Sequence, residues 1–173
     1  MTKQKLVLSF ILGIFTLQAI SQEIKKVEIK DEKGNLKTEF SISIDNGDTI
    51  FHDTYIEYYP NGKKEFSCFY KKGIRIEKEN FFDKKGRETF VHEYIGETFP
   101  RIIKTKAFYY SGACRYVEGE MIEKSPGVAI KEGIIKYYWK NMKVMDSVIF
   151  VNDRMTYRAR FNKKGKFQFE NRY

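Results

Sequence analysis

The sequence predicts an all-β protein: an antiparallel meander of repeated β-hairpins, laid out as an elongated twisted sheet. Three features predict it. Short polar turns recur directly after aromatic residues, apolar residues sit two apart after each turn, and no helical periodicity appears beyond the N-terminal segment.

The turns are Asp31-Glu32-Lys33-Gly34, Tyr59-Pro60-Asn61-Gly62-Lys63, Tyr70-Lys71-Lys72-Gly73, Phe82-Asp83-Lys84-Lys85-Gly86-Arg87, Tyr110-Ser111-Gly112 and Phe161-Asn162-Lys163-Lys164-Gly165-Lys166. Asn61-Gly62 offers two residues that tolerate positive φ, as a type I′ reversal needs. Asp83 and Asn162 suit the first position of a four-residue turn whose glycine takes the left-handed slot.

Side chains alternate faces along a strand, so parity after each turn glycine tests the reading. At even offsets stand Leu36, Phe40, Phe66, Tyr70, Phe90, Tyr94, Tyr116, Phe167 and Phe169; at odd offsets the apolar residues are only Phe69, Val91, Ala113 and Val117. One face is therefore apolar and the other wet. Gly73 breaks the rule, with Ile74 and Ile76 at odd offsets, and reads as the same pattern with its turn one residue out of step.

The pattern is also duplicated. Tyr58-Tyr59-Pro60-Asn61-Gly62-Lys63 returns 80 residues later as Tyr138-Trp139-Lys140-Asn141-Met142-Lys143, and Phe82-Asp83-Lys84-Lys85-Gly86-Arg87 returns 79 residues later as Phe161-Asn162-Lys163-Lys164-Gly165-Lys166. Two related arrays follow, over residues 31–94 and 107–173. Between and within them, 95–106 with Pro100, and 119–133 with Ser125-Pro126-Gly127, read as loops or irregular edges. Neither is biased enough to link independent domains, so residues 22–173 form a single repeat domain.

Residues 1–21 read as a secretory signal peptide, a helix that precedes the domain: basic Lys3 and Lys5, an apolar run from Leu6 to Leu17, then small residues at Ala19 and Ser21. Cleavage is expected between Ser21 and Gln22, and it places the product in the periplasm or outside the cell. Loss of Lys3 and Lys5 lowers the formal charge from +9 to +7, so the exported chain stays basic. Cys68 and Cys114, the two cysteines, would then meet an oxidising compartment and form a candidate disulfide; two small buried residues in different strands are the alternative.

The turn-and-aromatic units resemble bacterial variants of the MORN repeat, which read as aromatic, aromatic, short polar turn, Gly, Lys, then alternating apolar residues. Tyr58-Tyr59-Pro60-Asn61-Gly62-Lys63 is the nearest to that pattern. Gly133-Ile134-Ile135-Lys136-Tyr137-Tyr138 is similar to the opening of a unit, and Asp53-Thr54-Tyr55-Ile56-Glu57-Tyr58 is similar with Asp53 where Gly is usual. The resemblance implies a twisted meander of stacked hairpins that is usually non-enzymatic; relatives are often labelled antitoxin-like, and the wider family is associated with membrane-proximal scaffolding. Met142 and Asp153 replace turn glycines, which puts the geometry of those two hairpins in question.

Catalytic residues, cofactors and metals are not expected. His52-Asp53 and His92-Glu93 are neighbours along strands, so each pair points to opposite faces, and two histidines with two separated cysteines lack the paired spacing of a zinc site. Nucleophile-elbow, phosphate-loop and metalloprotease motifs are absent from the sequence. The lysine pairs Lys63-Lys64, Lys71-Lys72, Lys84-Lys85 and Lys163-Lys164 fall at turns. Successive turns of a meander lie at opposite ends of the strands, so this charge reads as split, with Gly62 and Gly86 at one end and Gly73 at the other.

Adjacent aromatics leave one ring of each pair outside a one-sided core. Tyr59, Tyr110, Tyr138 and Trp139 are accordingly the candidate partner-binding residues, since Tyr and Trp give large contact area at low entropic cost. The expected function is an exported, non-catalytic binding or scaffold protein of the cell envelope. Its partner would be a protein, an envelope glycan or an anionic surface, without nucleic acid or a small-molecule cofactor. An immunity or antitoxin-like protein that binds a toxin is the alternative within binding. A small outer-membrane β-barrel is the alternative of another class, because alternating Phe167, Phe169 and Tyr173 close the sequence.

Overall fold

A computed structural model describes residues 23–112 and 114–173. The expected signal peptide and its cleavage site lie outside the described residues. Thirteen strands form one antiparallel sheet. They are β1 (Lys25–Lys30), β2 (Leu36–Asp45), β3 (Asp48–Tyr58), β4 (Lys64–Lys71), β5 (Ile74–Phe82), β6 (Glu88–Ile95), β7 (Arg101–Phe108), β8 (Cys114–Ser125), β9 (Val128–Lys131), β10 (Gly133–Trp139), β11 (Val144–Val151), β12 (Arg154–Phe161) and β13 (Phe167–Arg172).

Their order across the sheet is their order in the chain, except that β9 and β10 share β8 as neighbour. The all-β meander read from the sequence is the fold. β1 and β13 are the two edges and do not pair with each other, so the sheet is open rather than the closed barrel of the second alternative. Residues 101–106 and most of 119–133 are strand, not the loops expected there: in β7, Ile103, Thr105 and Ala107 alternate with Lys104 and Lys106 as any one-sided strand does.

Opposed residues share a face, and one row of them crosses the sheet without interruption. Ile29 faces Thr38, which faces Glu57, then Phe66, Phe81, Phe90, Ala107 and Val117 in turn. Tyr137, Asp146, Arg160 and Phe169 complete it. This inner face carries the buried residues Cys68, Tyr94, Ile103, Ala107, Ile135 and Val148. Rings interlock along its first half, with centroids 5.4 Å apart for Phe40 and Phe51, 5.2 Å for Phe51 and Tyr70, 4.8 Å for Phe66 and Phe81 and 5.8 Å for Phe81 and Phe90. Such edge and tilted pairs add about 1 kcal/mol each beyond burial of area.

Two residues depart from the parity rule, for identifiable reasons. Tyr116 lies on the outer face with Phe108 and Tyr138. The other hairpins at its end of the strands have a register shift beside the turn, at Lys30, Tyr58, Phe82, Tyr138 and Phe161. The β7–β8 hairpin has none, so its parity is inverted. At Gly73 the turn keeps step: Tyr70 faces Arg75, which puts Ile74 and Ile76 on the outer face and Arg75 and Glu79 on the apolar one.

Reversals fall into two classes, one at each end of the strands. At one end, residue i donates its N–H to the carbonyl of i+4 and accepts from the N–H of i+3; this occurs at Asp31, Tyr59, Asp83, Trp139 and Asn162, with bonds of 2.7–2.9 Å. Only the fourth residue is left-handed, so Asn61 does not join Gly62 in a type I′ turn. The other end has tight turns with two left-handed residues, Asn46-Gly47, Lys72-Gly73 and Asn152-Asp153. Met142 and Asp153 reproduce the glycine geometry rather than distort it, at φ 61° and 64°. Within strands, Asp53 and Gly133 occupy equivalent positions of the two arrays and are both left-handed, at φ 55° and 80°.

A left-handed β-carbon costs about 1 kcal/mol. Met142 is largely exposed, so Met142→Gly is expected to raise stability by about 1 kcal/mol. Gly62 has open space where a β-carbon would sit, and Gly62→Ala should lower stability by a similar amount through backbone strain alone. Urea denaturation of both variants checks the pair.

Candidate functional site

The five four-residue turns stand at one end of the strands, two strands or about 10 Å apart within each array and four strands or about 19 Å apart between the turns after β5 and β10, where the β7–β8 turn intervenes. They bind one another in donor and acceptor pairs. In the turn after β3, the Tyr59 hydroxyl donates to the carbonyl of Phe82 (2.8 Å), Asn61 Nδ2 to that of Lys84 (2.9 Å) and Lys63 Nζ to that of Lys85 (2.8 Å). After β10, Trp139 Nε1 donates to the carbonyl of Phe161 (3.1 Å), Asn141 Nδ2 to that of Lys163 (2.7 Å) and Lys143 Nζ to that of Lys164 (2.9 Å). The same three-point clamp thus appears twice, and it is the physical content of the duplicated sequence.

Acceptor turns are prepared for this by their first residue. Asp83 Oδ1 accepts from the N–H groups of Lys85 (2.9 Å) and Arg87 (3.0 Å), and Asn162 Oδ1 from those of Lys164 (2.9 Å) and Lys166 (3.0 Å). Asp83 is held below the usual carboxylate range by these bonds, first the backbone N–H and then the side chain of Arg87. With their N–H groups turned inward to the Asx side chain, the turns leave carbonyls free for the clamp.

The outcome is a rigid ridge of positive charge. Its second to fifth turns, 59–63, 83–87, 140–143 and 162–166, contain Lys63, Lys84-Lys85 and Arg87, Lys140 and Lys143, and Lys163-Lys164 and Lys166, against the single carboxylate of Asp83. That carboxylate is paired with Arg87 at 2.7 Å. The first turn differs, with Asp31 and Glu32 against Lys33. At the opposite end, the connections 45–48, 71–74, 96–100 and 151–154 set Lys71, Lys72 and Arg154 against Asp45, Asp48, Glu97 and Asp153. The charge is therefore focused at one end, contrary to the split expected from alternating turns: three of the four lysine pairs belong to the same class of turn.

The candidate partner-binding aromatics are engaged within the chain. Tyr59 and Trp139 are half-buried members of the clamps. The Tyr110 ring lies between the guanidinium groups of Arg87 (4.0 Å) and Arg115 (4.9 Å), and its hydroxyl donates to the carbonyl of Glu88 (2.7 Å). Tyr138 sits on the outer face, its ring tilted against that of Tyr116 at 5.4 Å and its hydroxyl bonded to the Glu118 carboxylate; burial, then that bond, pushes its phenol up to about 12. Tyr58 makes the equivalent bond to Glu39 in the first array. The structure brings Tyr59, Tyr110, Tyr138 and Trp139 to the same end of the strands, with Tyr138 beside the turn on the outer face.

Cys68 and Cys114 are free thiols, so the candidate disulfide is not formed. Three strands separate β4 from β8, about 19 Å along the sheet, where a bridge needs Cα atoms within about 7 Å. Burial pushes the Cys68 thiol up to about 12. His52 Nε2 lies 2.8 Å from Ser43 Oγ. His92 has its Nδ1 3.9 Å from Glu79, and burial lowers its pKa.

A second cluster, on the apolar face, was hidden by the one-step reading of Gly73. Glu79 accepts from the Tyr94 hydroxyl (2.6 Å) and Arg75 (3.1 Å). Arg101 donates to Glu123 (2.7 Å) and to the Arg75 carbonyl (2.6 Å), and lies over the rings of Tyr94 (4.3 Å) and Phe99 (4.8 Å). Arg101 also lines a cavity of about 330 Å³ between the β3–β5 turns and the β8–β9 hairpin. The tight pairing of Tyr70 with Arg75 is the signal that would have revealed it.

Two outcomes are expected. Asn61→Ala and Asn141→Ala should each cost about 1 kcal/mol and agree within about 0.5 kcal/mol, because they remove the same bond from the same device; chemical denaturation of each checks this. Arg101 and Glu123 have side chains only 2 % and 6 % exposed, so Arg101→Ala, which strands a buried carboxylate, should cost about 3–5 kcal/mol, read by thermal melting. Compared with known proteins, the chain matches no family model and no curated protein sequence.

Proposed function

We propose that this chain is an exported, non-catalytic binding and scaffold protein of the cell envelope, of the MORN-like hairpin-repeat kind, and that it presents its basic turn ridge to an anionic surface. The observation that carries the reading is the focusing of charge: turns of one class, clamped to one another, gather nearly all of their lysines at one end of the sheet. Within each clamped pair the turns stand about 10 Å apart, close to the Debye length of about 8 Å at physiological salt, so their cations act on the same stretch of a charged surface. Clamping lowers the entropy lost when the ridge docks.

Cosedimentation of the chain from Gln22 with phosphatidylglycerol vesicles tests this. Binding is expected at low salt, with loss as salt rises and little binding to phosphatidylcholine. Reversing Lys84, Lys85, Lys163 and Lys164 to Glu should weaken it at least about tenfold, on the scale of about 1 kcal/mol per basic residue near an anionic membrane. Reversing Lys71 and Lys72, at the other end, should change it little. Equal loss per reversed lysine from both sets would mean that only net charge matters, and absence of binding at low salt would end the reading.

A further inference from the structure

The two clamps are copies of one device, and the second departs from the first in a consistent direction. Trp139 stands where the first has Tyr59, Lys140 where it has Pro60 and Asn162 where it has Asp83. The last exchange keeps the turn capped, since Asn162 Oδ1 accepts from the N–H groups of Lys164 and Lys166 as Asp83 Oδ1 does from those of Lys85 and Arg87, but it removes a carboxylate. The turns of the second clamp therefore hold Lys140, Lys143, Lys163, Lys164 and Lys166 with no acid, against Lys63, Lys84, Lys85 and Arg87 with Asp83 in the first. Closing the clamp requires none of these exchanges, because Tyr59 closes it as Trp139 does.

What the exchanges do is equip a cavity. Between the two turns and Gly112, in the turn after β7, lies a space of about 220 Å³ lined among the described residues by Trp139, Lys140, Asn141 and Lys163. Its walls are held by the bonds of Trp139 Nε1 to the Phe161 carbonyl and of Asn141 Nδ2 to the Lys163 carbonyl. Lys163 Nζ lies 5.8 Å from the centre of the indole. A second cation at that ring, Arg160 at 5.4 Å, is already tied to Asp146 at 2.8 Å. The cavity thus joins one aromatic wall to two lysines, with no carboxylate in either turn. Compact ammonium charges suit a phosphate, and an indole suits the apolar face of a ring. At less than the about 300–1,000 Å³ of sites that enclose a drug-sized molecule, the space admits a single sugar ring and excludes a nucleotide.

We propose that this cavity binds a phosphorylated sugar, with the ring against Trp139 and the phosphate between Lys140 and Lys163. The proposal rests on the anionic-surface reading for the choice of the ridge as binding face, and it names the one place on the ridge where a particular group is recognised. The first clamp, with Tyr59 and Pro60, contributes charge alone.

Trp139 is the single tryptophan of the chain, so its emission reports on the cavity directly. Glucose 6-phosphate, titrated into the chain from Gln22 at constant ionic strength, is expected to change that emission to saturation; calorimetry on the same solutions covers binding that leaves the emission unaltered. Glycerol phosphate, which has the anion without the ring, should bind about fivefold more weakly, the scale of one aromatic contact, and glucose should not bind. Lys140→Pro, which repeats Pro60 of the first clamp, and Lys163→Gln should each weaken binding at least about tenfold, as removal of a charged hydrogen bond does, while keeping the far-ultraviolet circular dichroism of the parent. Lys72→Gln, at the opposite end of the strands, should change nothing. Retention of the chain by phosphomannan but not by mannan would place the sugar on a glycan, and binding of glucose 6-phosphate without such retention would make it a free sugar phosphate. Absence of binding by both measurements, glycerol phosphate as strong as glucose 6-phosphate, or two lysine variants that bind like the parent would each overturn the proposal. Phosphatidylglycerol vesicles that cosediment with a chain indifferent to glucose 6-phosphate would remove this site and leave the surface reading; sugar phosphate binding without cosedimentation would do the reverse.

Discussion

Everything in this molecule depends on register being carried correctly through each reversal. Among the described residues no second sheet or helix covers the inner face, so that face survives only if every strand presents the same parity to the same side. A slip of one residue at any turn would expose a strand's whole apolar set. The left-handed residue of each reversal, with the register shift beside the four-residue turns, holds that parity. Where the shift is missing, between β7 and β8, Tyr116 moves to the outer face, and Phe108, Tyr116 and Tyr138 form an aromatic cluster there instead.

The two arrays share backbone and turn chemistry but differ in what fills the inner row. Phe66 and Phe81 face each other in the first array. Their equivalents in the second are Asp146 and Arg160, joined at 2.8 Å, with Arg158 on the other carboxylate oxygen at 3.0 Å. Removing either guanidinium would leave a buried charge short of a partner, which is far costlier than trimming a phenyl ring's neighbours. The first array is thus held by ring packing and the second by an ionic trio, while Tyr59 and Trp139 perform the same bond with different side chains.

Much of this was legible in the sequence. Turn residues, aromatic spacing and alternation gave the meander, and the 80-residue echo pointed to the clamps before their bonds were known. The all-β architecture needed nothing long-range, because neighbours in the chain are neighbours in the sheet. What stayed hidden depended on details of the reversals. The tight Lys72-Gly73 turn and the bulged Asn61-Gly62 turn both put even offsets of the following strand on the inner face, but after Gly73 those offsets hold Arg75 and Glu79 while apolar Ile74 and Ile76 stand at odd ones, so hydrophobicity alone points to the wrong side. Focusing of the lysines is equally hard to read from sequence: which end a turn occupies is counted from all preceding strands, including most of β7, the second half of β8, and β9, where local patterning suggests loops.

Strand pairing runs between neighbours in the sheet, and each clamp reaches only the next turn of its own end. A molecule organised in this way can change length in whole steps. Insertion or loss of one complete hairpin pair would leave the remaining bonds unaltered and extend or shorten the lysine row by one tooth, whereas a partial unit would invert the sides of all that follows. Size variation among descendants of such a gene would therefore come in increments of about 22 residues, the span between a donor and its acceptor.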